Sequence, residues 1–200
     1  MRQKYVMGID EAGRGPLAGP LAFGGVLMER SVYLKMKRYH LAGIRDSKKL
    51  TPKKREDWLK KMDEWQKEGL MSQKVCYAAS KQIDEMGLGK CIKSCITEIL
   101  KKLKADPKNT EILLDGGICA SANYVHQKTI IKGDELEPII SLASIVAKVS
   151  RDRKMLQLHK KFPQYNFEKH KGYGTREHYK NIKTHGLCEV HRRSFLKRFY

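Results

Sequence analysis

Residues 5–20 have the sequence YVMGIDEAGRGPLAGP, in which a short apolar run ends in two acids. The run at residues 5–10 predicts a buried strand, and Asp10 and Glu11 stand at its end. The glycines and prolines that follow predict a loop. In open α/β sheets, sites form outside the carboxyl ends of strands. This segment therefore predicts a functional site at the edge of a sheet.

The remaining hydrophobic patterns predict an α/β domain with a mixed sheet. The helix after Pro138 has a first half, IISLASIVAKV, that is apolar nearly all round, so it should be central and buried. A helix from Pro52 to about Gly69 should be capped by Thr51. The other predicted strands lie at residues 21–28, 75–78, 111–115 and 129–131, and the other predicted helices at 88–104 and 175–185.

Composition limits the partners of the chain. It has 200 residues, of which 40% are hydrophobic, which fits one domain with a real core and excludes a disordered chain. Lys and Arg number 41 against 22 Asp and Glu, and the net charge of +19 favours a nucleic-acid partner. We see no basic amphipathic helix or transmembrane run, so we expect no membrane binding. Five cysteines without a CxxC pair predict free thiols and a cytoplasmic protein. Nothing indicates an oligomer interface, and we expect a monomer.

Acids recur at the predicted strand ends. Asp115 ends the strand at 111–115, and Asp134 follows the strand at 129–131. If the strands of Asp10 and Asp115 are adjacent and parallel, their carboxylates converge. Crowded carboxylates repel, and a hard cation such as Mg²⁺ or Mn²⁺ relieves that repulsion. Two such ions, roughly 3.5–4 Å apart, can clamp a phosphodiester. Taken alone, each acid is better explained as a helix cap, a turn residue or a partner for a lysine, and only their joint placement at strand ends favours a metal site.

The glycine-rich loop has a competing interpretation as a dinucleotide-binding fingerprint. We reject it because Gly13, Gly15 and Gly19 are spaced GxGxxxG and Pro16 interrupts the turn. The preceding carboxylates would also face a pyrophosphate. The glycines do allow a backbone to approach a ligand closely, and they are equally compatible with a tight surface turn.

The segment IDEAGRGPLAGP at residues 9–20 resembles the signature of the type 2 ribonucleases H, the ribonuclease HII family. Matching motifs follow in the family's order over essentially the whole chain: DSKKLTPKKRE (46–56), ILLDG (112–116), KGD (132–134), SLASIVAKVSRD (141–152), HKGYGT (170–175) and HRRSF (191–195).

The resemblance implies a ribonuclease H-like fold, with a five-stranded mixed sheet flanked by helices. Residues 1–162 would form the catalytic core and residues 163–200 a helical substrate-binding segment. The implied activity is metal-dependent cleavage of RNA in RNA–DNA hybrids, and of duplex DNA at single embedded ribonucleotides, leaving 5′-phosphate and 3′-hydroxyl ends. The implied metal ligands are Asp10, Glu11, Asp115 and Asp134, which would hold two Mg²⁺ or Mn²⁺ ions.

The resemblance also assigns substrate contacts. Gly13, Arg14 and Gly15 would contact the ribose 2′-hydroxyl, which distinguishes RNA from DNA. Tyr173 would stack beneath the adjacent deoxyribose. Basic motif positions that could hold phosphates are Lys48, Lys148 and Arg151.

Several alternatives stay open at this point. The related ribonuclease HIII group carries an N-terminal domain and lacks the arginine between the glycines, so the early start of the signature and Arg14 favour HII. Another nuclease of the same fold would share the acids, and a non-catalytic nucleic-acid binder would share the charge. Glu135 and Glu137 fall near the acids with no assigned role. The histidines, including His170, His178 and His191, are expected to be solvated or to face phosphate.

Overall fold

A computed structural model describes residues 3–41, 44 and 50–197 of the chain. The elements, in chain order, are β1 (Tyr5–Ala12), β2 (Leu21–Glu29), α1 (Arg30–Tyr39), α2 (Pro52–Lys67), β3 (Ser72–Ala78), α3 (Ser80–Met86), α4 (Leu88–Lys102), β4 (Thr110–Asp115), β5 (Gln127–Ile130), α5 (Gly133–Leu136), α6 (Pro138–Lys161), α7 (Phe167–His170) and α8 (Arg176–His185). The predicted strands and helices are confirmed with small shifts of their ends. Sequence patterns missed α1, α3, α5 and α7.

The five strands form one mixed sheet in the order β3-β2-β1-β4-β5, which confirms the predicted architecture. β1 lies at the centre, antiparallel to β2 and parallel to β4. β5 extends the parallel half, and β3 extends the antiparallel half. The two strands that carry Asp10 and Asp115 are therefore neighbours that run in the same direction, and β1 continues two residues beyond Asp10.

Each face of the sheet buries its own hydrophobic core. Met7 and Ile9 of β1 point to one face, where they pack with Ile99 of α4. Val6 points to the other face, where it packs with Ile139 of α6 and the partly buried face of α1 and α2. Because side chains alternate along a strand, Gly8 and Asp10 share the face of Val6 and point toward α6.

Glycines in the two central strands allow α6 to lie directly on the sheet. A Cβ atom at Gly8 would lie 2.2 Å from the carbonyl oxygen of Ile139, and one at Gly24 would lie 2.2 Å from that of Ala143. The first half of α6 is buried from Pro138 to Ala147, as its sequence predicts. The absence of side chains at Gly8 and Gly24 thus allows the helix to lie this close to the sheet.

The C-terminal segment packs against the glycine-rich loop. Leu17 and Ala18 of the loop share a third hydrophobic cluster with Met155 of α6 and with Tyr165 and Phe167. A short β-bridge also joins Ala18 to residue 191. The loop after β1 is therefore held between α6 and the last part of the described chain.

The described ranges contain no helix that combines the length and the apolar character needed to cross a bilayer. All five cysteines are free thiols, and Cys91 and Cys95 of α4 are buried in the core, as predicted. The cytoplasmic location stays a prediction.

Replacing Gly24 by alanine should lower the free energy of unfolding by about 1–3 kcal/mol, because the new methyl group must push α6 away from the sheet. Gly89 of α4 is the matched control, since a Cβ atom there meets nothing within 4 Å. Urea denaturation of both variants measures the effect. Equal stability of Gly24→Ala and Gly89→Ala would contradict the close packing described here.

Candidate active site

Asp10 and Asp115 lie at the same level on neighbouring parallel strands. Ile9 of β1 is in register with Leu114 of β4, so the two acids are the next residues along each strand. Asp10 is only 2% exposed, and the backbone N–H of Glu11 donates to its Oδ1 over 2.7 Å. This confirms the predicted juxtaposition of the two strand ends.

Burial and neighbouring charge raise the pKa of Asp10 well above its ordinary value. Desolvation is the largest cause, followed by the negative charges of Glu11 and then Asp115, while a hydrogen bond with Ser144 of α6 opposes the shift. The carboxylate is therefore held in a position where its charge is unfavourable. A cation at this position would remove the penalty.

Asp134 is brought to the same edge by a tight turn. Its neighbour Gly133 donates its N–H to Asp115 Oδ1 over 2.7 Å, which fixes the turn against β4. Asp134 itself is fully buried, and its backbone carbonyl accepts a hydrogen bond of 2.6 Å from Ser141 Oγ. The turn, which begins with Lys132 in a left-handed conformation, thus places Asp134 beside the end of β4.

Glu137 has a structural role outside this group of acids. Its carboxylate accepts hydrogen bonds from Tyr33 Oη at 2.7 Å and from Lys37 Nζ at 2.9 and 3.0 Å. Both donors belong to α1, so Glu137 ties the start of α6 to that helix. The sequence had left its role undecided.

The donor set suits a hard divalent cation, although it is not preassembled. Asp10, Glu11, Asp115 and Asp134 offer only carboxylate oxygens, which Mg²⁺ and Mn²⁺ prefer. Within residues 3–41, 44 and 50–197, no three acidic, histidine or cysteine side chains come close enough together to form a ready metal site. The four acids are therefore a candidate set of ligands rather than a preformed metal site.

The loop of Gly13, Arg14 and Gly15 is held by Arg192, which lies in the HRRSF motif but had no predicted role. Arg192 is fully buried and donates to the carbonyl oxygens of Gly13 at 2.7 Å, Arg14 at 2.9 Å and Gly19 at 3.0 Å. These carbonyls point inward. The side chain of Arg14 extends outward and makes a 3.1 Å ion pair with Glu11.

Arg151 is buried among backbone carbonyl groups, so the position of its side chain does not support the predicted phosphate contact. Its side chain is fully buried, with Nε donating to Pro20 O and a terminal nitrogen donating to Lys171 O, both at 2.9 Å. A Cβ atom at Gly13, where φ is +95°, would lie 2.1 Å from Arg151 Nε. Arg151 is therefore packed beneath the loop and supports it.

A cleft of about 260 Å³ opens beside Glu11. Its lining combines one acid, three polar or basic groups, a glycine-rich backbone and an aromatic ring: Glu11, Ala12, Gly13, Arg55, Ser144, Lys148 and Tyr173. Arg55 and Ser144 were not expected there, although both lie in motifs that carry the family resemblance. Lys48 falls outside the described residues.

Tyr173 and Lys148 stand on opposite elements of the cleft. The Tyr173 side chain is 44% exposed, and the Arg151 guanidinium lies 5.7 Å from its ring centroid on the buried side. Lys148 of α6 pairs with Asp152 over 2.9 Å, so part of its charge is neutralised within the helix. The Tyr173 ring is thus partly exposed to a ligand, while the Arg151 guanidinium packs against it.

Three histidines expected at the surface are buried, which corrects that prediction. His170 is 9% exposed, His178 is fully buried and His191 is 2% exposed. Burial lowers the pKa of His178 to about 4, and burial together with the nearby His178 does the same for His191. These rings therefore belong to the folded interior at neutral pH.

This combination of sheet, acids and cleft defines an α/β nuclease of the ribonuclease H class, and known structures share the fold. The ribonuclease H2 of Pyrococcus horikoshii OT3 superposes with a TM-score of 0.74 and 26% identity over 98% of each chain. A chain in the PCNA:RNase HII complex from Archaeoglobus fulgidus gives 0.75 and 24%, over 96% of this chain and 94% of that one.

Sequence comparison then identifies the family. The profile of ribonuclease HII matches residues 7–198. The ribonuclease HII of Caldicellulosiruptor bescii is 43% identical over 194 residues, which cover 97% of this chain and 87% of that protein. The chain belongs to the ribonuclease HII family, and it is an endoribonuclease of the ribonuclease H type that acts on RNA–DNA hybrids.

The two buried histidines predict a loss of stability in acid. His178 and His191 bind protons near pH 6.5 in the unfolded chain but only near pH 4 in the folded protein. Because the unfolded state then binds more protons, stability should fall as the pH drops from about 6.5 to about 4, by on the order of 2–3 kcal/mol for each histidine. Denaturation at several pH values measures the loss, and NMR titration assigns it. Imidazole pKa values near 6.5 for both residues would contradict their burial.

Proposed function

We propose that the enzyme cuts the RNA strand of RNA–DNA hybrids, nicks duplex DNA at single embedded ribonucleotides, and leaves 5′-phosphate and 3′-hydroxyl ends. The observation that carries this proposal is a cleft in which Glu11, the neighbour of the buried Asp10, lies beside the backbone of Gly13 and the exposed ring of Tyr173. The carboxylates would bind cations, and the backbone of Gly13 and the ring of Tyr173 would contact a sugar.

The carboxylates of Asp10, Glu11, Asp115 and Asp134 would hold two divalent ions, Mg²⁺ or Mn²⁺. When bound, such ions lower the pKa of water and stabilise charge on a phosphodiester. Asp10 would be the shared ligand, because it receives the repulsion of both Glu11 and Asp115. Water would attack the phosphorus in line, and the ribose 3′-oxygen would leave. Arg55 and Lys148 line the cleft and would attract the phosphates.

The loop that follows Glu11 would recognise the ribose through its backbone. In a trans peptide the N–H points opposite to the carbonyl. Because Arg192 binds the carbonyls of Gly13 and Arg14, the N–H groups of Arg14 and Gly15 point away from Arg192. We propose that these groups contact the 2′-hydroxyl, which only RNA provides.

The C-terminal segment, residues 163–200, would supply the other half of the substrate site. Tyr173 is its contribution to the cleft, and its half-exposed ring would stack beneath the deoxyribose next to the ribonucleotide. Lys48 remains a predicted phosphate contact. We also propose that the enzyme is a monomer.

Cleavage of defined duplexes tests the proposal. With Mg²⁺ or Mn²⁺, the enzyme should cut a long RNA–DNA hybrid and a DNA duplex that contains one ribonucleotide, and should leave an all-DNA duplex intact. End analysis should find 5′-phosphate and 3′-hydroxyl groups. Cleavage of the all-DNA duplex would instead indicate a nuclease that does not recognise the 2′-hydroxyl. A lack of cleavage of both ribonucleotide substrates would refute the assigned activity.

Replacing Asp10 by asparagine should separate catalysis from stability. We expect the cleavage rate to fall by about 1,000-fold or more, since a shared ligand is lost. Substrate binding, measured by fluorescence anisotropy, should change little. In the absence of divalent ions the variant should melt at a higher temperature than the wild type, because an unfavourable buried charge is removed. Full activity in Asp10→Asn would refute the metal assignment.

A further inference from the structure

A chain of hydrogen bonds runs through two buried histidines to the backbone of Tyr173. The backbone N–H of Cys188 donates to His191 Nδ1 over 3.0 Å. The Nε2 atoms of His191 and His178 are 3.1 Å apart. His178 Nδ1 then lies 2.9 Å from the carbonyl oxygen of Tyr173. No group in this chain is exposed to solvent to any large extent except the ring of Tyr173 itself.

The partners at the two ends fix where each proton lies. A backbone N–H can only donate, so His191 Nδ1 accepts and the ring carries its proton on Nε2. A carbonyl can only accept, so His178 carries its proton on Nδ1 and its Nε2 is a free lone pair. The central contact is therefore an N–H···N hydrogen bond from His191 to His178. The order of donors and acceptors is consistent along the whole chain.

Tyr173 needs such an anchor because glycines flank it. Gly172 has a φ of +83°, and a Cβ atom there would lie 2.3 Å from the carbonyl oxygen of Ala18. Gly174 follows on the other side. Glycines leave the backbone free to adopt many conformations. A bond to the carbonyl of Tyr173 restricts that freedom at the residue whose ring lines the cleft.

The same few residues also hold the loop that starts at Gly13. His191 forms the β-bridge to Ala18, and the next residue, Arg192, binds the carbonyls of Gly13 and Arg14. On the other side, Gly172 O accepts a 2.8 Å hydrogen bond from Leu17 N. The histidine pair thus lies between the two elements that border the cleft.

We infer that His178 and His191 are positioning residues that fix Tyr173 relative to the loop of residues 13–15, and that they thereby set the enzyme's preference for an RNA–DNA junction. The preference for a junction rests on the proposed function, whereas the hydrogen-bond chain does not. His170 reinforces the arrangement, since its ring stacks on His178 with centroids 4.5 Å apart and accepts the N–H of Gly172 over 3.2 Å.

NMR of the wild-type enzyme labelled with ¹⁵N-histidine tests the chain without any variant. At neutral pH, His178 should show the Nδ1–H form and His191 the Nε2–H form. A scalar coupling should connect His191 Nε2 with His178 Nε2 through the hydrogen bond. Reversed tautomers, or a coupling that is absent while both rings are resolved, would overturn the chain whatever the substrate preference is.

Cleavage by His178 variants tests the link to specificity. His178→Leu removes the side-chain donor to the Tyr173 carbonyl and leaves only the backbone N–H of Thr175, which donates to it over 2.8 Å, while His178→Asn keeps a side-chain N–H at a similar position. For His178→Leu we expect kcat/KM for the single-ribonucleotide duplex to fall about tenfold more than for a long RNA–DNA hybrid, as for the loss of one hydrogen bond. His178→Asn should recover most of the difference. The exposed His126 provides the control variant His126→Leu, which should match the wild type.

The outcomes separate the two claims. An equal loss of activity on both substrates would mean that His178 is merely structural, and it would overturn the positioning role. A wild-type enzyme that cuts long hybrids but not the single-ribonucleotide duplex would refute the proposed junction activity, and with it the link to specificity. If His178→Leu does not fold, the comparison of His178→Asn with the wild type and the coupling measured on the wild type still decide the inference.

Discussion

The close contact between α6 and the central strands is the constraint on which the rest of the structure depends. Without side chains at Gly8 and Gly24, the helix lies against the backbone of β1 and β2. Successive side chains along α6 then contact different parts of the candidate site. Ser141 reaches the turn of Asp134, Ser144 reaches Asp10, Lys148 lines the cleft and Arg151 supports the glycine-rich loop. One helix therefore aligns the acids, the cleft and the loop.

The positive charge of the chain serves two different purposes. A net charge of +19 favours binding of a polyanion, and Lys148 and Arg55 bring part of it to the cleft. Arg151 and Arg192 are instead buried and bind backbone carbonyls, which replace the water that these guanidinium groups lose. Arginine suits this role because its planar group directs several donors to fixed positions, which a lysine cannot do.

The sequence predicted those parts of the fold that depend on local patterns. Alternating or continuous apolar runs located all five strands, and the uniformly apolar start of α6 indicated its central position. The prediction that Asp10 lies next to Asp115 needed one further assumption, namely that their strands are adjacent and parallel. α1 and α3 were missed because few of their residues are buried, and α5 and α7 are single turns that leave no periodic pattern.

The parts of the site that could not be predicted are those formed by contacts between distant segments. Arg151 and Arg192 look like any basic residue in a chain this basic, and only the position of the carbonyls around them shows that they are internal. The burial of the histidines was likewise not predictable. The sequence does not distinguish a neutral histidine in a buried hydrogen-bonded cluster from a histidine that is exposed to solvent. Family motifs marked these residues without distinguishing a substrate contact from a support.

The clamp of Arg192 on the loop at Gly13 has a consequence for how the enzyme is made. The two residues are separated by 179 positions, so the loop cannot reach its final conformation until residue 192 has left the ribosome. The sheet and α6 involve earlier residues and can fold first, as domains generally do during synthesis. A nascent chain would thus hold its acids before the loop beside them is complete. The shape of that loop is the last part of the candidate site that the folding polypeptide acquires.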